Sequence, residues 1–171
     1  MKLMKYGMLA ALLICLSAAA QDVHYNYDRQ ADFSSYRTYR WETIRGGAVE
    51  DQITDQNIRQ IVDDEMASKG FRKVETNPDL LVGYQAALGR EKQLNGWGAG
   101  PRFGGMGTVT TSTITTGKLV VDLYDPARKQ LVWRGDVEKA LNPSKDPDKN
   151  YKRLQSALAK LFKNYPPKEK K

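Results

Sequence analysis

Two apolar runs separated by a short polar turn constrain this chain more than any other feature. Lys118-Leu-Val-Val-Asp-Leu-Tyr124 leads into Asp125-Pro126-Ala127-Arg128-Lys129, and Gln130-Leu-Val-Trp-Arg-Gly-Asp-Val137 follows. Side chains alternate between the two faces of a strand. A register with Leu123 opposite Trp133, Val121 opposite Gly135 and Leu119 opposite Val137 puts all of these on one face. It also sets Asp122 against Arg134 on the other. Because a slip of one residue reverses every side chain, the pattern specifies an antiparallel hairpin with one buried face. The rest of the chain must cover that face.

Two helical patterns are available as cover. Thr54 reads as an N-cap and Asp55 suits the positive end of a helix dipole, with Ile58, Ile61, Val62 and Met66 on one face and Gly70 as the stop. Near the end, Tyr151, Leu154, Leu158, Leu161, Phe162 and Tyr165 recur at helical spacing, after a linker from Asn142 to Asp148 and before Pro166-Pro167. Further strands are written at Val23-Tyr25-Tyr27, at Arg37 to Trp41 with Tyr39 and Trp41 on one face, at Phe71 to Val74, and at Leu80 to Leu88. The polar residues Asp28–Ser35, the stretch Thr43–Ile53 with Gly46-Gly47, and the turn Asn77-Pro78-Asp79 connect them.

Gly89 to Gly107 breaks the pattern. It holds half of the chain's 14 glycines, together with Trp97, Pro101, Arg102 and Phe103, and reads as a glycine-rich loop. The glycines lack the strand–loop–helix setting of a phosphate-binding motif. Thr108 to Thr116 is β-branched and suits a strand. The expected architecture is a single α+β domain: a two-layer sandwich with a largely antiparallel sheet of about six strands and two helices on one face.

The first 20 residues stand apart. Lys2 and Lys5 precede an apolar run from Met8 to Leu16, and Ser17-Ala-Ala-Ala20 follows. This layout is that of a secretory signal peptide cleaved before Gln21. The run is short of the ~20 residues a membrane-spanning helix needs. Cys15, the only cysteine, follows bulky Ile14 rather than a small residue, so lipid anchoring there is not expected. The remaining domain, residues 21–166, then has no cysteine for a disulfide, and 167–171 form a basic disordered tail. Without Lys2 and Lys5 the net charge falls from +7 to +5. That dispersed surplus reads as a solvated surface rather than a nucleic-acid site. The mature chain is expected to be exported to the periplasm or cell envelope, with no transmembrane span.

Several blocks in order carry a family resemblance. They are Tyr-Asn-Tyr-Asp at 25–28, Asp-Phe-Ser-Ser-Tyr-Arg-Thr-Tyr-Arg-Trp at 32–41, Lys69-Gly70-Phe71, Pro78-Asp79-Leu80-Leu81-Val82 with Tyr84, Gly117 to Asp125, Leu131-Val-Trp-Arg-Gly135, and Leu161-Phe162 before Tyr165-Pro166. Over nearly all of the mature chain this resembles domain-of-unknown-function family DUF4136. The resemblance implies a bacterial envelope protein, of a kind often lipid-anchored, and implies no catalytic residues.

Chemistry is sparse. His24 is the only histidine, so neither a histidine-based metal site nor a Ser-His-Asp arrangement is expected, and no cofactor is implied. Asp63-Asp64-Glu65 are consecutive on a helix and spread around it. Asp122, as one acid of a hydrolytic pair, is already matched to Arg134 in an exposed pair worth ~0–1 kcal/mol. The aromatics Tyr25, Tyr27, Phe33, Tyr36, Tyr39 and Trp41 fit a filled core better than a glycan platform, with Tyr36, at the connection, as the exposed one. Trp97, Arg102 and Phe103 are of the types that anchor interfaces, on a segment that otherwise reads as a flexible insertion. The leading expectation is a non-catalytic domain binding an envelope protein or glycan through Trp97, Arg102, Phe103 and Tyr36. The alternative is a hydrolase acting on an envelope substrate through an unrecognised carboxylate site.

Overall fold

The computed structural model describes residues 22–44, 51–96, 109–141 and 143–167, with 90–96, 109–114 and 140 described through their backbone. The expected signal peptide, the basic tail from residue 168, and Trp97, Arg102 and Phe103 lie outside the described residues. Eight elements follow in order: β1 (Asp22–Tyr27), β2 (Thr38–Trp41), α1 (Gln52–Ser68), β3 (Arg72–Lys73), β4 (Leu80–Gly96), β5 (Val109–Asp125), β6 (Gln130–Ala140) and α2 (Pro147–Phe162). The sheet order is β1-β6-β5-β4-β2-β3. The pairs β1–β6, β6–β5 and β5–β4 are antiparallel, while β2 runs parallel to both β3 and β4. This is the α+β sandwich that the sequence pattern implies.

The hairpin register holds as written. Leu123 faces Trp133, Val121 faces Gly135, Leu119 faces Val137 and Asp122 faces Arg134, with a bulge between Leu123 and Tyr124. One row across the sheet is Trp41, Val82, Leu123, Trp133 and Tyr27. Its helix-covered side meets α1 at Trp41 and α2 at Trp133, whose ring lies 5.8 Å from that of Phe162. Val82, Leu123 and Trp133 are fully buried with Ile61, Val62 and Met66 of α1 and Leu158, Leu161 and Phe162 of α2. Burying each such side chain contributes ~1.5–3 kcal/mol.

Three boundaries differ from expectation. α1 starts a turn earlier than Thr54, because the Asp51 carboxylate accepts the backbone N–H groups of Ile53 and Thr54 at 3.2 Å each. An aspartate outside the apolar stripe caps as well as a threonine nearer to it, so periodicity alone placed the start too late. At the other end Gly70 adopts φ +84°, a left-handed conformation that costs glycine little. The strand after it shrinks to Arg72–Lys73. α2 begins at Pro147, within the expected linker, and is capped by the Asp146 carboxylate.

The largest correction concerns the glycine-rich segment. Gly89–Gly96 is not loop: it continues β4 and pairs with Val109–Thr116, without a register shift, from Gly89↔Thr116 to Gly96↔Val109. Gly117 does not divide β5 either, which is one strand of 17 residues. Arg90-Glu-Lys-Gln-Leu-Asn95 shows no apolar alternation, and alternation is the mark of a strand with one buried face. Without that alternation the sequence carried no sign of the strand.

Candidate functional site

Beyond the sandwich, β4 and β5 form an arm. β6 accompanies β5 only as far as Thr116↔Ala140, with one more bond from the Leu141 N–H to the Thr115 carbonyl at 2.6 Å. β2 accompanies β4 only to Trp41↔Val82, followed by a bond from the Glu42 N–H to the Val82 carbonyl at 2.8 Å. From Arg90↔Thr115 to Gly96↔Val109 the ladder is two-stranded among the described residues. At ~3.3 Å per residue its seven pairs extend about 20 Å. Leu88 (74 % exposed) and Leu141 (41 %) sit at its root. Of the sequence-selected residues, Trp97, Arg102 and Phe103 belong to the segment that joins the ends of this arm.

Tyr36, the fourth, is not exposed. It is 7 % accessible, with its hydroxyl donating to the buried Asp125 carboxylate at 2.8 Å. Its ring meets Phe33 edge-on at 6.1 Å, and Phe33 in turn meets Tyr165. Burial, reinforced by the neighbouring Asp125, raises the Tyr36 hydroxyl pKa. A tyrosine in a polar connection looks exposed in sequence, but the Asp125 turn supplies a buried acceptor for its hydroxyl. Tyr36 is a tether between the β1–β2 connection and the β5–β6 turn.

A second surface feature, not singled out from sequence, is an open groove between β2, β3 and α1, lined by Arg40, Trp41, Glu42, Arg59, Lys73 and Glu75. The Arg59 guanidinium lies 4.8 Å over the Trp41 ring and 5.8 Å from that of Tyr84, a cation–π arrangement. Its Nε donates to both Asp55 oxygens at 3.0 Å, and the Tyr84 hydroxyl also donates to Asp55. Asp63 accepts from the Tyr39 hydroxyl and Trp41 Nε1, at 2.7 Å each, and from Lys73 Nζ at 3.0 Å. Burial, then the bond to Asp63, raises the Tyr39 hydroxyl pKa. The sequence signal was available: Tyr39 and Trp41 share a strand face, and Asp55, Arg59 and Asp63 are spaced i, i+4, i+8 on α1.

The same pattern recurs at the other acids. Asp79 accepts the backbone N–H groups of Arg37 and Thr38 and the Thr38 hydroxyl, at 2.8–2.9 Å. Asp122 holds Arg134 through two bonds of 2.6 Å. Its side chain is only 10 % exposed against 48 % for Arg134, so the pair is half-buried rather than freely solvated. Asp125 also caps its own turn, accepting from the N–H groups of Ala127 and Arg128. These carboxylates join one element to another.

The sequence model of one family, a domain of unknown function named DUF4136, matches residues 23–167. The chain belongs to that family. Among curated proteins no sequence matches it. Solved structures that share the fold include two at low identity. One is a PDZ domain protein from Parabacteroides distasonis, with a TM-score of 0.59 and 13 % identity, over 88 % of this chain and 37 % of that one. The DUF4136 chain thus spans little more than a third of that protein's length. The other is PelC from Paraburkholderia phytofirmans, a dodecamer, with a TM-score of 0.51 and 10 % identity, over 88 % of this chain and all of that one. At these identities the likeness is one of fold. No helix among the described residues is long and apolar enough to cross a membrane.

Proposed function

We propose that this DUF4136 domain is a non-catalytic module of the bacterial envelope that binds another envelope component through the β4–β5 arm. The observation that carries the reading is the arm itself. Seven cross-strand pairs run beyond the last residues of β2 and β6. A binding element gains from such reach, since recognition residues on a segment held by a rigid scaffold meet a partner without disturbing the core. Trp97, Arg102 and Phe103, carried at the arm's end, are the residue types that dominate interface energetics. The bonds made by Asp55, Asp63, Asp79, Asp122 and Asp125 support the non-catalytic part, because each carboxylate already accepts from structural donors.

The test is site-specific photocrosslinking in cells making the full chain. A crosslinking residue at Trp97 or Phe103 is expected to give a discrete envelope adduct, and one at exposed Lys152 on α2 none. Equal labelling from both positions, or none from the arm, removes the proposal. Fractionation of the same cells tests location. The protein is expected in the periplasm or envelope with Gln21 at its amino terminus and no lipid. A diacylated chain beginning at Cys15 would instead place it on a membrane.

A further inference from the structure

The arm leaves one backbone edge of β5 without a neighbouring strand among the described residues. The Thr115 carbonyl points away from β4, since it accepts the Leu141 N–H. In an antiparallel ladder the N–H and C=O of one residue point the same way, and successive residues alternate. Val109, Thr111 and Thr113 therefore aim their backbone groups to the same side as Thr115. No strand among the described residues pairs with them there.

Proteins ordinarily guard such edges with charge, proline, a bulge or shortness. The other edges of this sheet follow that practice. β1 begins with Asp22, β3 is the two residues Arg72–Lys73, and the outer stretch of β4 contains Arg90, Glu91 and Lys92. Val109-Thr-Thr-Ser-Thr-Ile-Thr-Thr-Gly117 has no charge and no proline, and its pairing with β4 shows no bulge. Among the described residues it carries none of these guards, and it is rich in β-branched residues, which suit strands.

We propose that this edge pairs with the same edge of a second copy, joining β5 to β5 antiparallel about a two-fold axis at Ser112. Leu141 occupies the position beside Thr115 and ends the free edge on one side. Ser112 is midway between that stop and Val109. An axis there sets Thr111 opposite Thr113 of the second copy, exchanging backbone bonds in both directions, and Thr110 opposite Ile114; Val109 falls opposite Thr115, whose edge Leu141 already takes, so the pairing ends at Thr110. Cross-strand pairs of this kind are favourable, and no like charges meet. The axis also satisfies the parity of the ladder, because both hydrogen-bonded partners are residues whose backbone groups point outward. The two arms become one four-stranded sheet, an isologous contact that closes as a dimer. The inference goes beyond the envelope-binding reading and is independent of it, since it concerns the purified chain alone.

A chain starting at Gln21 has no cysteine, so Ser112→Cys introduces a single reporter. At a non-hydrogen-bonded pair on the axis the two Cα atoms lie ~4.5 Å apart, within disulfide range. Mild oxidation is expected to crosslink Ser112→Cys about ten-fold or more faster than Gln93→Cys on the opposite strand, because pairing raises the effective concentration of the thiols. By light scattering, the unmodified chain is expected to be a dimer. Thr111→Lys with Thr113→Lys is expected to make it a monomer that still unfolds cooperatively, with a midpoint that no longer depends on protein concentration. A monomeric unmodified chain at every concentration, a dimer that survives the double substitution, or equal crosslinking at the two positions overturns the proposal. Should the double variant fail to fold, the comparison of the two cysteine variants decides it.

Discussion

The two ends of the β4–β5 hairpin consist of the same two strands and are held in opposite ways. At the sandwich end, Val82 and Leu123 face each other in a row that continues into Trp133 and Trp41, and both are fully buried. At the arm end the same ladder runs on through Arg90↔Thr115 and Lys92↔Thr113, past the last pairs made by β2 and β6. The comparison separates what makes a strand from what makes a core. Backbone pairing propagates from a well-anchored base, whereas apolar alternation appears only where a second layer covers one face. Stability should accordingly be concentrated at the base and interaction at the arm.

The strongest attack on the base is Trp133→Ala. The indole is fully buried, with the rings of Phe162 and Tyr165 at 5.8 and 5.4 Å. Emptying an aromatic site of this size costs ~3–5 kcal/mol, to be read as a lowered urea midpoint with little change in slope. A loss under about 1 kcal/mol, far below that range, would mean that the base is not where stability resides.

Gly135→Val attacks the same place from the strand side. A Cβ on Gly135 would lie 2.3 Å from the Trp133 ring and 2.7 Å from Leu161 Cδ1. The ring occupies the space a side chain would take, so overpacking of ~1–3 kcal/mol is expected. Combined with Trp133→Ala, the penalty should shrink, because the obstructing ring is gone. Strict additivity of the two substitutions in denaturant unfolding would break the account.

Asp79→Asn is expected to cost less, about 1.5–3 kcal/mol, the range for a hydrogen bond to a charged group. Burial raises the Asp79 carboxyl pKa, but bonds from the Arg37 and Thr38 N–H groups and the Thr38 hydroxyl outweigh it and hold the group below the ordinary aspartate range. A depressed carboxyl contributes stability that is complete above the unfolded value of ~3.9. That contribution is lost as pH falls through the folded value. The acid limb of a stability–pH curve should therefore be shallower in Asp79→Asn than in the parent chain. An identical limb would show that Asp79 titrates without linkage to folding.

Most of the sandwich was legible because it repeats a readable rule. The β5–β6 register followed from where Trp133, Gly135 and Asp122 had to point. α1 followed from Ile58, Ile61, Val62 and Met66, with only its cap misplaced from Asp51 to Thr54. What stayed hidden depends on partners distant in sequence. Tyr36 finds Asp125, and Arg59 settles between Trp41 and Tyr84, by tertiary contact alone. The arm was illegible for another reason: Arg90 to Asn95 carries no apolar period, and its strand character comes from being zipped to Val109–Thr116.

The smallest stability effect is expected where the largest functional effect is proposed. Leu88 and Gly117 face each other at the arm's root, so replacing residues 89–116 with a tight two-residue turn closes the hairpin there. The replacement removes the two-stranded ladder and the segment it carries. It leaves Val82, Tyr84, Leu119, Val121 and Leu123 under the helices. A shorter connection also lowers the entropy lost on closing the hairpin, though only by a few tenths of a kcal/mol to ~1 kcal/mol, because that cost grows slowly with length. The unfolding temperature should then stay within a few degrees of the parent's, a shift of about 1 kcal/mol corresponding to ~2–8 °C for domains of this size. If the shortened protein melts much earlier, the arm is part of the fold's foundation. The contrast between a stabilising base and an interacting arm would then be wrong, however the crosslinking turns out.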